Sequence, residues 1–417
     1  GLGLSVFDVE RAIDCLNAYV TEPGDTHAAF IHHGSPVPVQ FYLFLELWNR
    51  TQSKELLQYF YPRLKQYYEF LAGKLGSSTT RQLKSNLLKT WDYFYNSGGW
   101  DDYPPQVYVH KNRLEKYVAP VITTSQCIRI AKILYMTASA LGYMDDLSEY
   151  AEDIATFTQA IQEHCWDEEA GYFSYVCHDD DGYPYGILRD QNGVNYNMGL
   201  DRTYPLVAGI CSKEQKERLL HSLMSDKHMW TDIGISTVDK SAPYYKVDGY
   251  WNGAVWMPHQ WFIWKTMLDM GMGDFAYKIA KTGLDLWERE VSRTYHCFEH
   301  FIIQSGRGAG WHQFGGLSSP VLCWFEAYFR PGTLTFGFDV WAEEKRFSSC
   351  NTSLTAKLKY YGNEESINII AVMNPDYKYR VKWNDSEARY KELLPGVLQI
   401  ELSKIGSEGV LNIESMR

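Results

Sequence analysis

The chain has 417 residues, 45% of them hydrophobic and 22% charged, with a mean hydropathy of −0.35 and a formal net charge of −11. This balance predicts a soluble globular protein long enough for two or three folding units. It argues against a nucleic-acid partner, which would want a basic face, and no apolar run approaches the ~20 residues of a membrane span, so no membrane partner is expected.

In chain order, helix-like periodicity dominates as far as residue 330. Residues 39–49 and 54–73 predict one pair of helices around a short polar turn. Residues 121–142 and 145–165 predict a second pair, broken at Gly142-Tyr143. The segment Cys165 to Phe173 predicts a hairpin with a structural role. A helix over 212–227 opens with Ser212-x-x-Gln215, a capping-box pattern, and carries Leu219, Leu220, Leu223 and Met224 on one face. Residues 253–271 and 274–290 predict a third pair, split by Gly271-Met272-Gly273. Antiparallel helix pairs joined by long aromatic loops suggest an α/α toroid with a site built on the loops at one end.

After Arg330-Pro331-Gly332 the period changes. Leu334, Phe336, Phe338 and Val340 alternate with Thr335, Gly337 and Asp339, as in a half-buried strand. Further strand-like runs follow at 353–361, 366–373, 379–383 and 397–402, with turn residues at Gly362-Asn363, Asn374-Pro375-Asp376 and Asn384-Asp385. The expected organisation is a helical catalytic unit over 1–330 and a small antiparallel, β-sandwich-like unit over 331–417. The eight cysteines, with no C-x-x-C pair, read as isolated, mostly buried thiols. The compartment stays open between cytoplasm and bacterial periplasm.

Three stretches carry chemistry. In Gly99-Trp100-Asp101-Asp102-Tyr103-Pro104, downstream of the aromatic run Trp91–Tyr95, two carboxylates sit between rings. An Asp-Asp pair is commonly a solvated turn. Here Gly98-Gly99 would let the main chain approach a ligand, and apolar surroundings would raise the pKa of an acid. Phe298-Glu299-His300 places a second carboxylate among aromatics, followed by Gly306-Arg307-Gly308-Ala309-Gly310, read as a mobile site loop, and by Trp311. His296-x-x-Glu299-His300 also spells the pattern of inverted zinc peptidases, but that chemistry needs a helix and the flanks read as extended chain. In Gly249-Tyr250-Trp251-Asn252-Gly253-Ala254-Val255-Trp256, the rings and the Asn252 amide suit either core packing or a sugar platform.

Taken in order, these three motifs resemble glycoside hydrolase family 63, which includes processing α-glucosidases and bacterial α-glycosidases and is related to the trehalases. The resemblance covers residues 36 to 330. It implies an (α/α)6 barrel and hydrolysis with inversion, with Asp101 as general acid and Glu299 as general base. Trp100, Tyr103, Trp251, Trp256 and Trp311 would line the sugar subsite, together with Asp102, Tyr250 and Asn252. The chain departs from the pattern at Asn252 and Pro105, where arginines are usual, at Ser97, where related trehalases carry an acid, and at Leu317, where an aromatic is usual. Six helix pairs need more chain than precedes Pro331, so further helices, and a β domain, are expected ahead of Gly1.

The expected function is therefore single-step inverting hydrolysis of an α-linked glucoside or related glycoside. The two carboxyl groups would stand about 6.5–9.5 Å apart, and Asp102 is the reserve acid. No metal or organic cofactor is required. Two other readings stand beside it. One is a sugar-binding relative that no longer cleaves. The other is a sugar epimerase on a similar barrel, with His259 and His300 as paired acid and base.

Overall fold

The computed structural model describes residues 1–25, 37–75, 81–89, 99–403, 406 and 408–416. Among the described residues up to 329 there are eleven α-helices: α1 (Val9–Asn17), α2 (Val39–Thr51), α3 (Lys54–Leu71), α4 (Pro104–Lys111), α5 (Val121–Leu141), α6 (Met144–His164), α7 (Tyr204–Ala208), α8 (Lys213–Met224), α9 (Met257–Asp269), α10 (Gly273–Thr294) and α11 (Ser319–Phe329). Local chemistry sets several of their ends. The Ser53 side chain accepts from Leu56 N at the start of α3. The Ser212–Gln215 capping box opens α8, with both reciprocal bonds made. Gly142, at φ 77°, lets the chain leave α5 and re-enter α6. The helix expected from residue 253 begins instead at Met257, where Pro258 fits the first turn and residues 250–255 form a loop.

α2 packs on α3, α5 on α6 and α9 on α10, so consecutive helices pair as their short connections suggested. No helix among the described residues is long and apolar enough to cross a membrane. All eight cysteines are free; five are buried and Cys350 is exposed.

The rest of the chain forms two antiparallel sheets. One has the strand order 333–335, 366–372, 397–403, 389–394; the other runs 340–347, 353–360, 408–416, 378–383, 386–387. A single apolar cluster joins them, with Ile367, Ile369, Leu398 and Ile400 from the first and Leu354, Leu358, Leu411 and Ile413 from the second. The alternation over 334–340 does not yield one strand. Asp269, at the end of α9, accepts the N–H groups of Phe338 (2.6 Å) and Asp339 (3.1 Å), which takes that backbone out of any ladder. Strand 366–372 is buried on both faces. Ile367, Ile369 and Ala371 face the sheet interior, while Ile370 and Val372, with Val397, belong to the helical core.

Candidate active site

Each of the three motifs occupies a loop between helices or strands, and hydrogen bonds tie the loops to one another. Asp101 and Asp102 lie on the turn that leads into α4, and both reach the surface. Asp102 Oδ1 accepts the N–H of Trp251 at 3.2 Å. Val255 and Phe301 exchange two main-chain bonds of 3.0 Å, which fixes the Trp loop beside the strand 300–302. Glu299 directly precedes that strand. Its Oε1 accepts the Tyr250 hydroxyl, and its Oε2 accepts the N–H of Trp311 at 3.0 Å. The run Trp91–Tyr95, Ser97 and Gly98 lie outside the described residues.

Rings form a column across the motifs. Trp100 stacks on Trp251 (5.9 Å, 11°), Trp251 on Trp256 (3.6 Å, 10°) and Trp256 on His300 (5.0 Å, 19°). The Trp loop can fold this tightly because Gly253 lacks a Cβ, which would fall 1.7 Å from the Lys246 carbonyl oxygen. The column is a floor more than a platform. Trp100 and Tyr103 have no exposed surface, and Trp251 and Trp256 keep 6% and 3%. Trp311 is 58% exposed. Of the five expected sugar-lining rings it is the one that presents a broad face to solvent.

The buried rings are anchored by partners far along the chain. Trp100 Nε1 donates to His259 Nε2 at 2.5 Å, which makes that nitrogen an acceptor and leaves Nδ1–H to donate to the Tyr204 oxygen at 2.8 Å. Burial holds His259 neutral, with a pKa lowered to about 3. Tyr103 donates to Asn197 Oδ1 (2.6 Å) and accepts the N–H of Gly199 (2.7 Å), with Asp201 Oδ1 at 3.2 Å. Asn252 is turned into its own loop, where Oδ1 accepts Tyr250 N and Nδ2 donates to the Tyr244 carbonyl, each at 3.2 Å. Sequence reasoning missed His259, Tyr204 and Asp201 as supports of the acid loop, because their only signal is spatial.

Burial raises the pKa of Asp101, and the negative charges of Asp102 and Glu299 raise it further. Asp101 and Glu299 therefore sense each other across the site. The Tyr250 phenol is pushed well above its ordinary range by burial and by its bond to Glu299, so it stays protonated.

The glycine run after Glu299 is not the mobile loop expected. Residues 307–309 pair with 300–302 as a hairpin. Glu290 of α10 pins that hairpin by accepting from Arg307 Nε (2.8 Å), Arg307 Nη2 (3.0 Å) and Gly308 N (3.1 Å). The H-x-x-E-H segment is not helical either. α10 ends at Thr294 with Tyr295 left-handed at φ 59°. His296 then packs against the His312 ring (4.8 Å), while His300 stacks on Trp256. Among the described residues no cluster of three or more His, Cys, Asp or Glu is arranged to hold a metal ion.

Loops that carry paired carboxylates over a floor of aromatics define the class of glycoside hydrolases, and the comparisons agree. The model of the mannosylglycerate hydrolase MGH1-like glycoside hydrolase domain matches residues 32–315, a span that contains all three motifs. The chain belongs to this family, within glycoside hydrolase family 63. It is 26% identical over 166 residues to a mannosylglycerate hydrolase of Thermus thermophilus; the match covers 39% of this chain and 35% of that protein. The chain thus spans about a third of the length of this curated relative. Among solved structures, a GH63 mannosylglycerate hydrolase from another strain of Thermus thermophilus, in complex with glucose, superposes with a TM-score of 0.57 at 20% identity, covering 78% of this chain and 90% of that one. Neutral trehalase Nth1 from Saccharomyces cerevisiae superposes with a TM-score of 0.52 at 12% identity, covering 77% and 67%. At these identities the superpositions speak for the fold.

Proposed function

We propose that the protein hydrolyses an α-linked hexoside with inversion of the anomeric carbon, with Asp101 as general acid and Glu299 as general base. The observation that carries this reading is the pairing itself: one carboxyl with a raised pKa, and within reach of its charge a second carboxylate oriented by two donors. In the reaction Asp101 gives its proton to the glycosidic oxygen as the C1–O bond breaks. Water adds to C1 from the opposite face and passes its proton to Glu299. The products are the free sugar of opposite anomeric configuration and the alcohol; exchange with solvent resets both carboxyls.

The exposed Trp311 ring supplies the sugar-stacking face, and Asp102 stands beside the acid as a partner for sugar hydroxyls. Trp100, Tyr103, Trp251 and Trp256 act from beneath, holding the loops in place. The proposed setting is an (α/α)6 toroid over residues 1–330, with the sandwich of 331–417 packed against it. α-Glucosides remain the first substrates to try, and α-mannosides join them on the relatives' name. An epimerase built on His259 and His300 is disfavoured, because both ring nitrogens of His259 are taken up in the core.

The test is NMR of fresh reaction mixtures with α-glucosides, α-mannosides, mannosylglycerate and trehalose. Release of the β-anomer, lost in Asp101→Asn and Glu299→Gln, is the expected result. Release of the α-anomer, or cleavage that survives both substitutions, would overturn the mechanism. Sugar binding without cleavage anywhere in the panel would favour the non-cleaving relative.

A further inference from the structure

We propose that Tyr250 is a positioning residue for the base: its hydroxyl and the main-chain N–H of Trp311 form a two-donor clamp that orients the Glu299 carboxylate. The inference rests on the reading of Glu299 as general base and assigns Tyr250 a different task from gripping sugar. A general base must present one lone pair to the attacking water along a fixed line, and an error of 1 Å in such a group can cost about 100-fold in rate.

Glu299 is held from two separate elements. Oε2 receives the Trp311 amide at 3.0 Å, and the Glu299 N–H returns a bond of 3.0 Å to the Trp311 carbonyl, so this half of the clamp is a closed ring of one side-chain and one main-chain bond. Oε1 receives the Tyr250 hydroxyl. Each carboxylate oxygen accepts about two bonds, so one position on each remains open for water.

Both donors are themselves fixed. The Tyr250 ring meets Trp256 at 4.9 Å and 71° and His300 at 4.9 Å and 77°, contacts that leave it little freedom to swing. The amide of Trp311 reaches Glu299 because residue 310 is glycine. Its φ is 74°, and a Cβ there would lie 2.3 Å from Oε2 and 2.9 Å from the Glu299 Cβ. The donor on Oε1 thus comes from the Trp loop, and the donor on Oε2 from the chain just past the hairpin. With one oxygen tied to each element, the carboxyl plane is fixed against rotation about its last bond.

The experiment compares wild type with Tyr250→Phe, Gly310→Ala, Trp311→Ala and Glu299→Gln. It reads kcat and KM on a cleaved glycoside across pH. Independently of substrate, it reads the titration of the 13C-labelled Glu299 carboxyl, identified by its loss in Glu299→Gln. Tyr250→Phe is expected to lower kcat about 10- to 100-fold with KM within about threefold, and to change the Glu299 carboxyl signal followed in that titration. Gly310→Ala should act in the same direction. Trp311→Ala keeps its amide and should raise KM while leaving that signal in place. A Tyr250→Phe variant with raised KM, normal kcat and an unchanged carboxyl signal would overturn the clamp. Full activity in Glu299→Gln would instead remove the base assignment, and the carboxyl titration would still decide whether Tyr250 acts on Glu299.

Discussion

Carboxylates occupy two very different settings in this molecule: the aromatic loops of the site and the seam between helices and sandwich. At the seam several of them meet full cations, although Asp269 accepts main-chain N–H groups. Asp339 pairs with Arg129, and both are buried; Glu46 pairs with Lys265 at 2.6 Å; Glu326 receives Arg50 Nη1 at 2.7 Å. Asp339 is held below the usual carboxylate range mainly by Arg129, against the cost of burial. In the site, Glu299 is held by a phenol and an amide, Asp102 by an amide, and among the described residues neither forms an ion pair. A cation cancels the charge it binds and turns it into cohesion. A neutral donor orients the carboxylate and leaves its charge available for protons and water.

This contrast can be broken from either side. The largest effect is expected on the site side: Asp101→Asn or Glu299→Gln should lower kcat by about 10²–10⁴-fold. The thermal midpoint should stay within about 2 °C of wild type, since Asp101 is exposed and Glu299→Gln keeps the side chain's shape and loses at most one of its two accepted bonds. Scanning calorimetry beside the kinetics checks both halves. On the seam side, Arg129→Met leaves Asp339 buried without its main partner and should cost about 3–5 kcal/mol in denaturant unfolding, with unchanged turnover per folded molecule.

Asn368→Ala sharpens the comparison, because this seam contact is neutral. The Asn368 amide oxygen accepts Gly273 N at 2.7 Å, where α10 begins. Its loss should cost about 1–3 kcal/mol, measurably less than Arg129→Met in the same assay. The smallest effect is expected at Asp102. Its charge helps raise the pKa of Asp101, so Asp102→Asn should lower it. The acid then loses its proton at lower pH, and the basic limb of kcat/KM moves down the pH scale. An upward movement would remove Asp101 from the acid role.

Local signals made much of the fold legible. Ser212 and Gln215 announced the start of α8, Gly142 the break between α5 and α6, and short β-prone runs the strands 353–360, 366–372 and 397–403. Strands 389–394 and 408–416 went unread, because charged residues along partly exposed strands blur the alternation. At the site, the three motifs singled out from sequence occupy loops that hydrogen-bond to one another, but composition could not say which rings face outward. Trp100 and Tyr103 have the composition of a sugar platform, yet their polar tips find His259 and Asn197, partners 159 and 94 positions away. Asn252 resembles a hydroxyl-binding amide, yet closes its own turn. The glycines of 306–310 look like flexibility, yet the run serves a pinned hairpin and the close approach to Glu299. For the rings and the glycines a tertiary partner decided the outcome, and for Asn252 its own loop did.

Strand 366–372, buried on both faces, has a consequence for how the chain is made. Ile370 and Val372, with Val397, close the apolar wall of the helical part together with Phe338 and Trp341, the latter stacked on Trp48 at 4.7 Å. As the polypeptide leaves the ribosome, α1 to α11 emerge first with that wall open to water. A chain truncated after Arg330 would keep the wall exposed and should precipitate. The two sheets thus cap the helical part like a roof, and synthesis must run past residue 397 before that wall is covered.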